Sequence, residues 1–343
     1  KDRQVLPKSV GTELGVKFVL KGSIRQIGDK FRLNAQLVST ETGFNLWAQR
    51  YDKKMSELFA IQDDVTDNIV SALGIKLTHQ ERNRLARNAT DSLKAYDLFQ
   101  EGQRLFKTST PEANRQAREM YRKAISLDPD YGRAYGALAV TLAFDFRRVW
   151  TDAPIETLDR ALELAKTAVA LDDSVPQTYW ALGFVYLTRK EYDYAEKRIR
   201  EAMRIAPNYA DGYGLLALIQ AFRGQPTNAI ELNDKAIGLN PHFTFDYLIT
   251  YGLAHYALGE YDAGIERLED AQERNPNAIQ IKVLLAANYV RRGRQDDAEW
   301  AADEIELTSP ATTVTGLQKA IPISDPELMR AFLHDLREAG LPE

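Results

Sequence analysis

The chain has 343 residues, enough for two ordinary domains, and is 44% hydrophobic with a formal net charge of −5. It contains no cysteine, which excludes disulfides, thiolate metal sites and cysteine nucleophiles. Acidic and basic residues are interleaved, which argues against a nucleic-acid surface with its basic stripe, and no run of about 18 apolar residues offers a membrane span.

In chain order, the start Lys1-Asp2-Arg3-Gln4 has neither an initiator methionine nor an apolar signal stretch, as expected of a piece of a longer protein. The apolar period then becomes two. Val16, Phe18, Leu20, Gly22 and Ile24 alternate with Lys17, Val19, Lys21, Ser23 and Arg25, which predicts a strand with one buried face. Gly28-Asp29 supplies a turn, and Phe31, Leu33, Ala35 and Leu37 form a second strand, so that the pair reads as a hairpin. After a turn at Thr42-Gly43, residues 46–51 form a third. The period next turns helical: Leu58, Ile61, Val65, Ile69, Ala72 and Leu73 line one face of a helix over 56–77, with Ser56 at its N-cap. Three antiparallel strands on one helix make a small α+β unit over 1–78, and the polar stretch 79–94 reads as a linker.

Four X-Pro junctions punctuate the second half. Pro207, Pro241, Pro276 and Pro310 are separated by 34, 35 and 34 positions, the signature of a stacked repeat. The most complete unit holds Tyr179, Leu182 and Tyr186 at helical spacing, small residues Gly183 and Ala195, then Ile199, Ala202 and the terminating Pro207. It predicts a helix, a tight turn, a second helix and a stop. Further copies hold Tyr213, Leu216, Ala217, Ala229 and Ala236; Leu248, Gly252, Gly264, Leu268 and Ala271; and Leu285, Ala286, Tyr289, Ala298 and Ala302. Gly224, Gly259 and Gly293 fall between the paired helices, where positive φ is needed. Two less regular copies precede these. One holds Tyr96, Leu98, Gly102, Ala117, Tyr121, Ala124 and Pro129, with a long turn at 108–111. The other holds Tyr135, Leu138, Ala139, Ala161, Ala165 and Ala168, with Asp173 in the proline position and an insertion expected at 145–154. Six repeats thus occupy 95–310, and 311–343 forms a C-terminal linker and helix.

This pattern resembles the tetratricopeptide repeat family. The resemblance implies a mainly α protein, an α-α superhelix of about six repeats whose first helices line a concave groove for a peptide or protein segment. On the face that the family turns inward lie Phe99, Gln103 and Phe106; Gly136, Val140 and Phe144; Trp180, Phe184 and Leu187; Gly214, Leu218 and Phe222; Ile249, Leu253 and Tyr256; and Val283, Ala287 and Val290. Nearly all are apolar, and the Lys, Asn and Arg clamp of tail-binding relatives is lacking, which argues against an acidic C-terminal tail as ligand. Two arrangements produce such a face: an open groove with aromatic anchors, of which Phe99, Phe106, Phe144, Trp180, Phe184, Leu218, Phe222, Leu253 and Tyr256 are the candidates, or winding so tight that these side chains pack on neighbouring helices.

The stretches 14–25, 33–37 and 46–52 are similar to the TolB-like α/β domain that precedes tetratricopeptide arrays in bacterial regulators, among them class III adenylate/guanylate cyclases and winged-helix transcriptional regulators. The closing segment Leu336-Arg337-Glu338-Ala339-Gly340-Leu341-Pro342-Glu343 resembles the end of the cyclase-linked arrays, and its helix, 326–339, is expected to cap the solenoid. In that family an earlier strand and helix open the α/β domain. Their counterpart is not found here, so the first strand is expected to present an open edge, covered by a second copy of the chain or by a repositioned segment.

Chemistry-bearing residues are sparse. His79, His242, His255 and His334 are scattered without metal-ligand spacing. The pairs Asp63-Asp64, Asp172-Asp173 and Asp296-Asp297 point about 100° apart on a helix and cannot converge on one atom. Arg82, Arg84 and Arg87 suit a solvated linker, Asn88-Ala89-Thr90 is an isolated sequon, and no phosphate loop occurs. No catalytic residue, metal or cofactor is expected. The sequence therefore reads as a non-catalytic interaction or regulatory module, the C-terminal part of a signalling protein such as a nucleotide cyclase. The alternatives are an oligomerisation module that dimerises through the open edge or the solenoid, and an enzyme with an unrecognised pocket. The partners expected are a protein or peptide segment and a second copy of the chain, with no nucleic acid and no membrane span. A cytoplasmic location is expected, with the periplasmic portion of a membrane-anchored regulator as the alternative.

Overall fold

In the computed structural model, residues 6–75 and 89–343 are described, and the chain divides into two compact units at Leu93/Lys94. The first opens with a short helix that the sequence pattern did not reveal, α1 (Pro7–Leu14), followed by β1 (Phe18–Ile27), β2 (Lys30–Ser39) and β3 (Asn45–Lys54). The strands form an antiparallel sheet in the order β1-β2-β3, with Leu20 opposite Leu37 and Leu33 opposite Tyr51. Gly28 makes the first turn at φ 61°. After β3 the helix is shorter than its apolar stripe suggested. Ser56 does not cap it. A single 3-10 turn (Met55–Glu57) comes first, in which Glu57 accepts from the Lys54 backbone N–H at 3.1 Å, and α2 runs over Leu58–Ala72.

Alternation puts Phe31, Leu33, Trp47 and Tyr51 on one face of β2 and β3, and α2 covers them with Ile61, Leu58 and Val65. The Tyr51 hydroxyl donates to Asp64 at 2.6 Å, tying sheet to helix. On β1 the same face is bare. Phe18, Leu20 and Ile24 are 43%, 51% and 66% exposed, and among the described residues no strand pairs with the outer edge of β1. Helix α1 touches β1 but buries none of its own side chains.

The second unit is six helix pairs: α3 (Leu93–Phe106) with α4 (Pro111–Leu127), α5 (Gly132–Arg147) with α6 (Pro154–Leu171), α7 (Pro176–Thr188) with α8 (Tyr192–Ile205), α9 (Ala210–Phe222) with α10 (Pro226–Leu239), α11 (Phe245–Leu258) with α12 (Tyr261–Arg274), and α13 (Ile279–Arg292) with α14 (Gln295–Thr308). Each recurring proline follows the C-cap of a second helix, at Ala206, Asn240, Asn275 and Ser309. Small residues let paired helices touch: a side chain at Gly183 would begin 2.7 Å from Ile199, and Ala195, Ala229 and Ala298 are fully buried.

The irregular copies differ from the regular ones in instructive ways. Gly224, Gly259 and Gly293 take positive φ as expected, but in the first three repeats Ser109, Val149 and Lys190 hold that conformation without being glycine. The additional residues expected as an insertion over 145–154 mostly lengthen the second pair. Helix α5 has 16 residues and α6 has 18, against 13 or 14 in later repeats.

Winding is tight. The Asn275 side chain, after the fifth pair, donates to the Lys107 carbonyl of the first pair at 3.3 Å. The C-terminal segment packs back on the repeats. Helix α15 (Val314–Ala320) lies against α5, and α16 (Pro326–Glu338), the helix expected to cap the solenoid, lies on α13 of the last pair. Its apolar stripe Phe332, Leu333 and Leu336 is buried there, while Trp300 and Leu307 of α14 stay exposed.

Candidate functional site

The first helices of the pairs form a row, and the aromatic residues on it stack into a ladder. Phe106 meets Phe144 edge-on at 4.9 Å, Phe144 stacks on Phe184 at 5.0 Å, and Phe184 stacks on Trp180 at 5.4 Å. Such contacts add to area burial in holding consecutive repeats at a fixed rotation. The Trp180 indole N–H donates to the Asp211 carbonyl of the next repeat at 2.9 Å. Phe222 joins the ladder through Arg147, whose guanidinium carbon lies 5.3 Å from the Phe184 ring centre and 5.6 Å from that of Phe222.

The other candidates fall elsewhere. Phe99 is buried between Tyr121 and Tyr131, inside the first repeats rather than on a free face. Leu218 is half-buried on α9. Leu253 lines a narrow apolar cleft of about 50 Å³ together with Leu317, Ile321, Ile323 and Phe332 of the C-terminal segment. Tyr256 meets Phe332 edge-on at 5.5 Å, and its hydroxyl donates to Asp335.

Part of the row is thus covered by the chain itself. After α14 the segment passes the second repeat, where α15 lies against α5. Lys190 Nζ donates to the Gln318 carbonyl at 3.3 Å, and the Tyr192 hydroxyl to the Pro322 carbonyl at 3.0 Å. Ser324 then donates through its N–H and its hydroxyl to the Phe222 carbonyl, at 2.8 and 3.0 Å. Finally α16 places Asp335 between Tyr256 and Arg291, whose Nε donates to it at 2.6 Å. Asp335 is 2% exposed. The ion pair holds the Arg291 guanidinium above its ordinary range, and burial together with the Asp335 hydrogen bond pushes the Tyr256 phenol upward. Helix α16 begins with its own cap, Asp325 accepting from the N–H groups of Glu327 and Leu328 at 2.8 and 3.0 Å.

Sequence reasoning passed over the charged members of this site. Arg147 and Arg148 end α5, and burial lowers them to about 10 and about 9. Asp246 at the start of α11 is raised by burial, while the Thr244 hydroxyl and the two arginines pull it the other way. The available signal was two adjacent arginines closing a first helix whose middle, residues 134–144, is almost wholly apolar.

The scattered titratable groups stay apart. His255 contacts Glu260 at 2.8 Å and stacks on Tyr251, and His334 lies 3.8 Å from Glu338. Asp64 accepts from Tyr51, and Asp297 pairs with Arg294. His79, Arg82, Arg84, Arg87 and Asn88 lie outside the described residues. Among the described residues no group of three His, Cys, Asp or Glu is placed to hold a metal ion, and no helix is long and apolar enough to cross a membrane.

No family model matches the chain. Over 189 residues it is 35% identical to putative adenylate cyclase 3 of Rhizobium meliloti (strain 1021), a match covering 55% of this chain and 32% of that protein. The chain spans a third or less of the length of the curated relatives it matches. Among solved structures it is similar to a thermophilic tetratricopeptide protein of Thermus thermophilus, with 19% identity and a TM-score of 0.46 over 57% of this chain and 99% of that one. It is also similar to the APC/C heterotetramer Cut9–Hcn1, with 14% identity and a TM-score of 0.49 over 82% of this chain and 54% of that one. By its own helix pairs, their proline-marked period and the small residues at their crossings, the chain has the tetratricopeptide fold, a superhelix of six repeats preceded by a three-stranded α+β unit.

Proposed function

We propose that this chain is a non-catalytic protein-interaction module whose first-helix row takes up an amphipathic helical segment of a partner, and that it serves as the regulatory region of a signalling protein of the nucleotide-cyclase kind. The observation that carries the reading is the occupant already in place. A helix with apolar Phe332, Leu333 and Leu336 and one buried acid, Asp335, satisfies the row together with Tyr256 and Arg291. A partner that presents the same stripe and one carboxylate makes the same contacts once the segment leaves. The likeness to a putative adenylate cyclase supports the signalling half of the reading, and a cytoplasmic location accords with it.

The test uses the full chain and a fluorescent peptide of residues 322–343. Asp335→Ala, which weakens the internal segment, is expected to bind the peptide at least tenfold more tightly than the wild-type chain does. A folded variant that binds no peptide, or a peptide with Asp335→Ala that binds equally well, removes the reading.

A second reading, assembly of two copies, is favoured by the free edge of β1 and the bare Phe18, Leu20 and Ile24 beside it. It predicts a dimer in sedimentation velocity that Leu20→Lys with Ile24→Lys converts to a monomer. A wild-type chain that sediments as a monomer across concentrations sinks this reading and leaves the first intact.

A further inference from the structure

A cavity of about 330 Å³ opens where the ends of α3 and α5 meet the start of α11. Its apolar wall includes Phe106, Phe144 and Phe243, and its charges are Lys107, Arg148 and Arg274 against Asp246. Arg274 is held by Asp270 at 3.0 Å. Arg148 is held by neutral groups only: it donates to the Ser109 carbonyl at 3.2 Å and, with the Gln280 amide oxygen turned toward it, to that oxygen at 2.8 Å. The ring centres of Phe144 and Trp150 lie 4.5 and 4.9 Å from its guanidinium carbon, and it is 4% exposed. Arg147 beside it touches ring faces and has no ion pair among the described residues.

A buried cation with only neutral partners is disfavoured relative to one with a counter-ion. The carboxylate in the cavity, Asp246, accepts from the Thr244 hydroxyl at 3.0 Å, and the other acid near Arg148, Asp145, is already paired with Arg118 and Asn114, so Arg147, Arg148 and Lys107 outnumber the acids left to answer them. The Phe106 ring, which meets Phe144 edge-on, lines the same cavity and gives apolar surface to a planar molecule, while Phe144 is already stacked on Phe184 and faced by Arg148.

We propose that this cavity binds a small aromatic anion, a planar ring bearing one carboxylate, sulfonate or phosphate group, which lies against Phe106 and brings its charge to Arg148. The C-terminal segment lines the neighbouring cleft and not this cavity, and Arg148 is the residue that borders both.

Isothermal titration of the full chain with 1-naphthoate and its neutral isostere 1-naphthamide tests it. Naphthoate is expected to bind one site at least tenfold more tightly than naphthamide, with a preference that weakens as salt is added and is lost in Arg148→Gln. Inorganic phosphate, which leaves the aromatic wall unused, is expected to bind at least tenfold more weakly than naphthoate. No binding of naphthoate, equal affinity for the two naphthyl compounds, or a preference that survives in folded Arg148→Gln overturns the proposal, and phosphate binding as tight as naphthoate overturns its aromatic part. Should the variant fail to fold, the guanidinium Nε–H resonance of Arg148 in the wild-type chain decides. It shifts on naphthoate addition if the site is this one, and a resonance unmoved at saturation overturns the assignment.

Discussion

Replacing Asp335 with alanine removes the one buried acid that joins the C-terminal helix to the repeats. Its carboxylate accepts from Arg291 Nε at 2.6 Å and from the buried Tyr256 hydroxyl. A hydrogen bond to a charged group contributes about 1.5–3 kcal/mol. The lower end applies because the Arg291 side chain is 36% exposed and regains water when released. The phenol hydroxyl, 4% exposed in Tyr256 and left without an acceptor, adds about 1 kcal/mol. The docked position of α16 is then weakened by about 2–3 kcal/mol, which is roughly 30- to 150-fold in the equilibrium for its local opening. Amide hydrogen exchange reads this directly: amides of residues 333–336 exchange faster by that factor, while those of α7 and α8 keep their rates. Uniform acceleration across all six pairs would show that the segment is inseparable from the core, and unchanged rates at 333–336 would show that the Asp335 contacts contribute nothing.

Two other perturbations have signs fixed by the structure. Burial raises the phenols of Tyr121, Tyr131, Tyr247, Tyr251, Tyr256 and Tyr289 well above the ordinary 10.0, and that of Tyr51 to about 12. The folded chain therefore keeps protons that the unfolded chain gives up, so this stability is complete below about pH 10 and is lost as pH rises through the raised values. Thermal melts should show a Tm that falls steadily from about pH 10 upward, and a Tm unchanged to about pH 12 contradicts the assignment. Gly238→Ala in α10, where an added Cβ meets nothing within 4 Å, should stabilise by about 0.5–1 kcal/mol in denaturant melts. Gly183→Ala, where the Cβ would lie 2.7 Å from Ile199, should destabilise by about 1–3 kcal/mol, and a shift of the same sign in both defeats the packing account.

What the amino-acid order revealed was local. Alternation over Phe31–Leu37 and the spacing of Pro207, Pro241, Pro276 and Pro310 depend on neighbours within a strand or a helix pair, and both survive in the structure. The turns were legible where glycine marks them and at 108–111, but nothing in the sequence marked the positive φ of Ser109, Val149 and Lys190, a conformation these residues rarely adopt. The helix of 326–339 was expected from resemblance, but the surface that buries its Phe332, Leu333 and Leu336 was not. The partner surface, Tyr256 and Arg291, lies 44 or more positions away, and only the winding brings it there. Arg147 and Arg148 illustrate the same limit. Nothing in their local sequence foretells burial, and Arg148 is enclosed because the fifth pair returns to the first.

That return has a mechanical consequence. In an open solenoid each repeat touches only its neighbours, so stability is a nearly linear sum and the ends fray first. Here the Asn275–Lys107 hydrogen bond and the segment that crosses from α5 to α13 couple repeats far apart in order. The array then behaves less like a spring of independent coils than like a ring under a single clasp, and it should melt in one cooperative step.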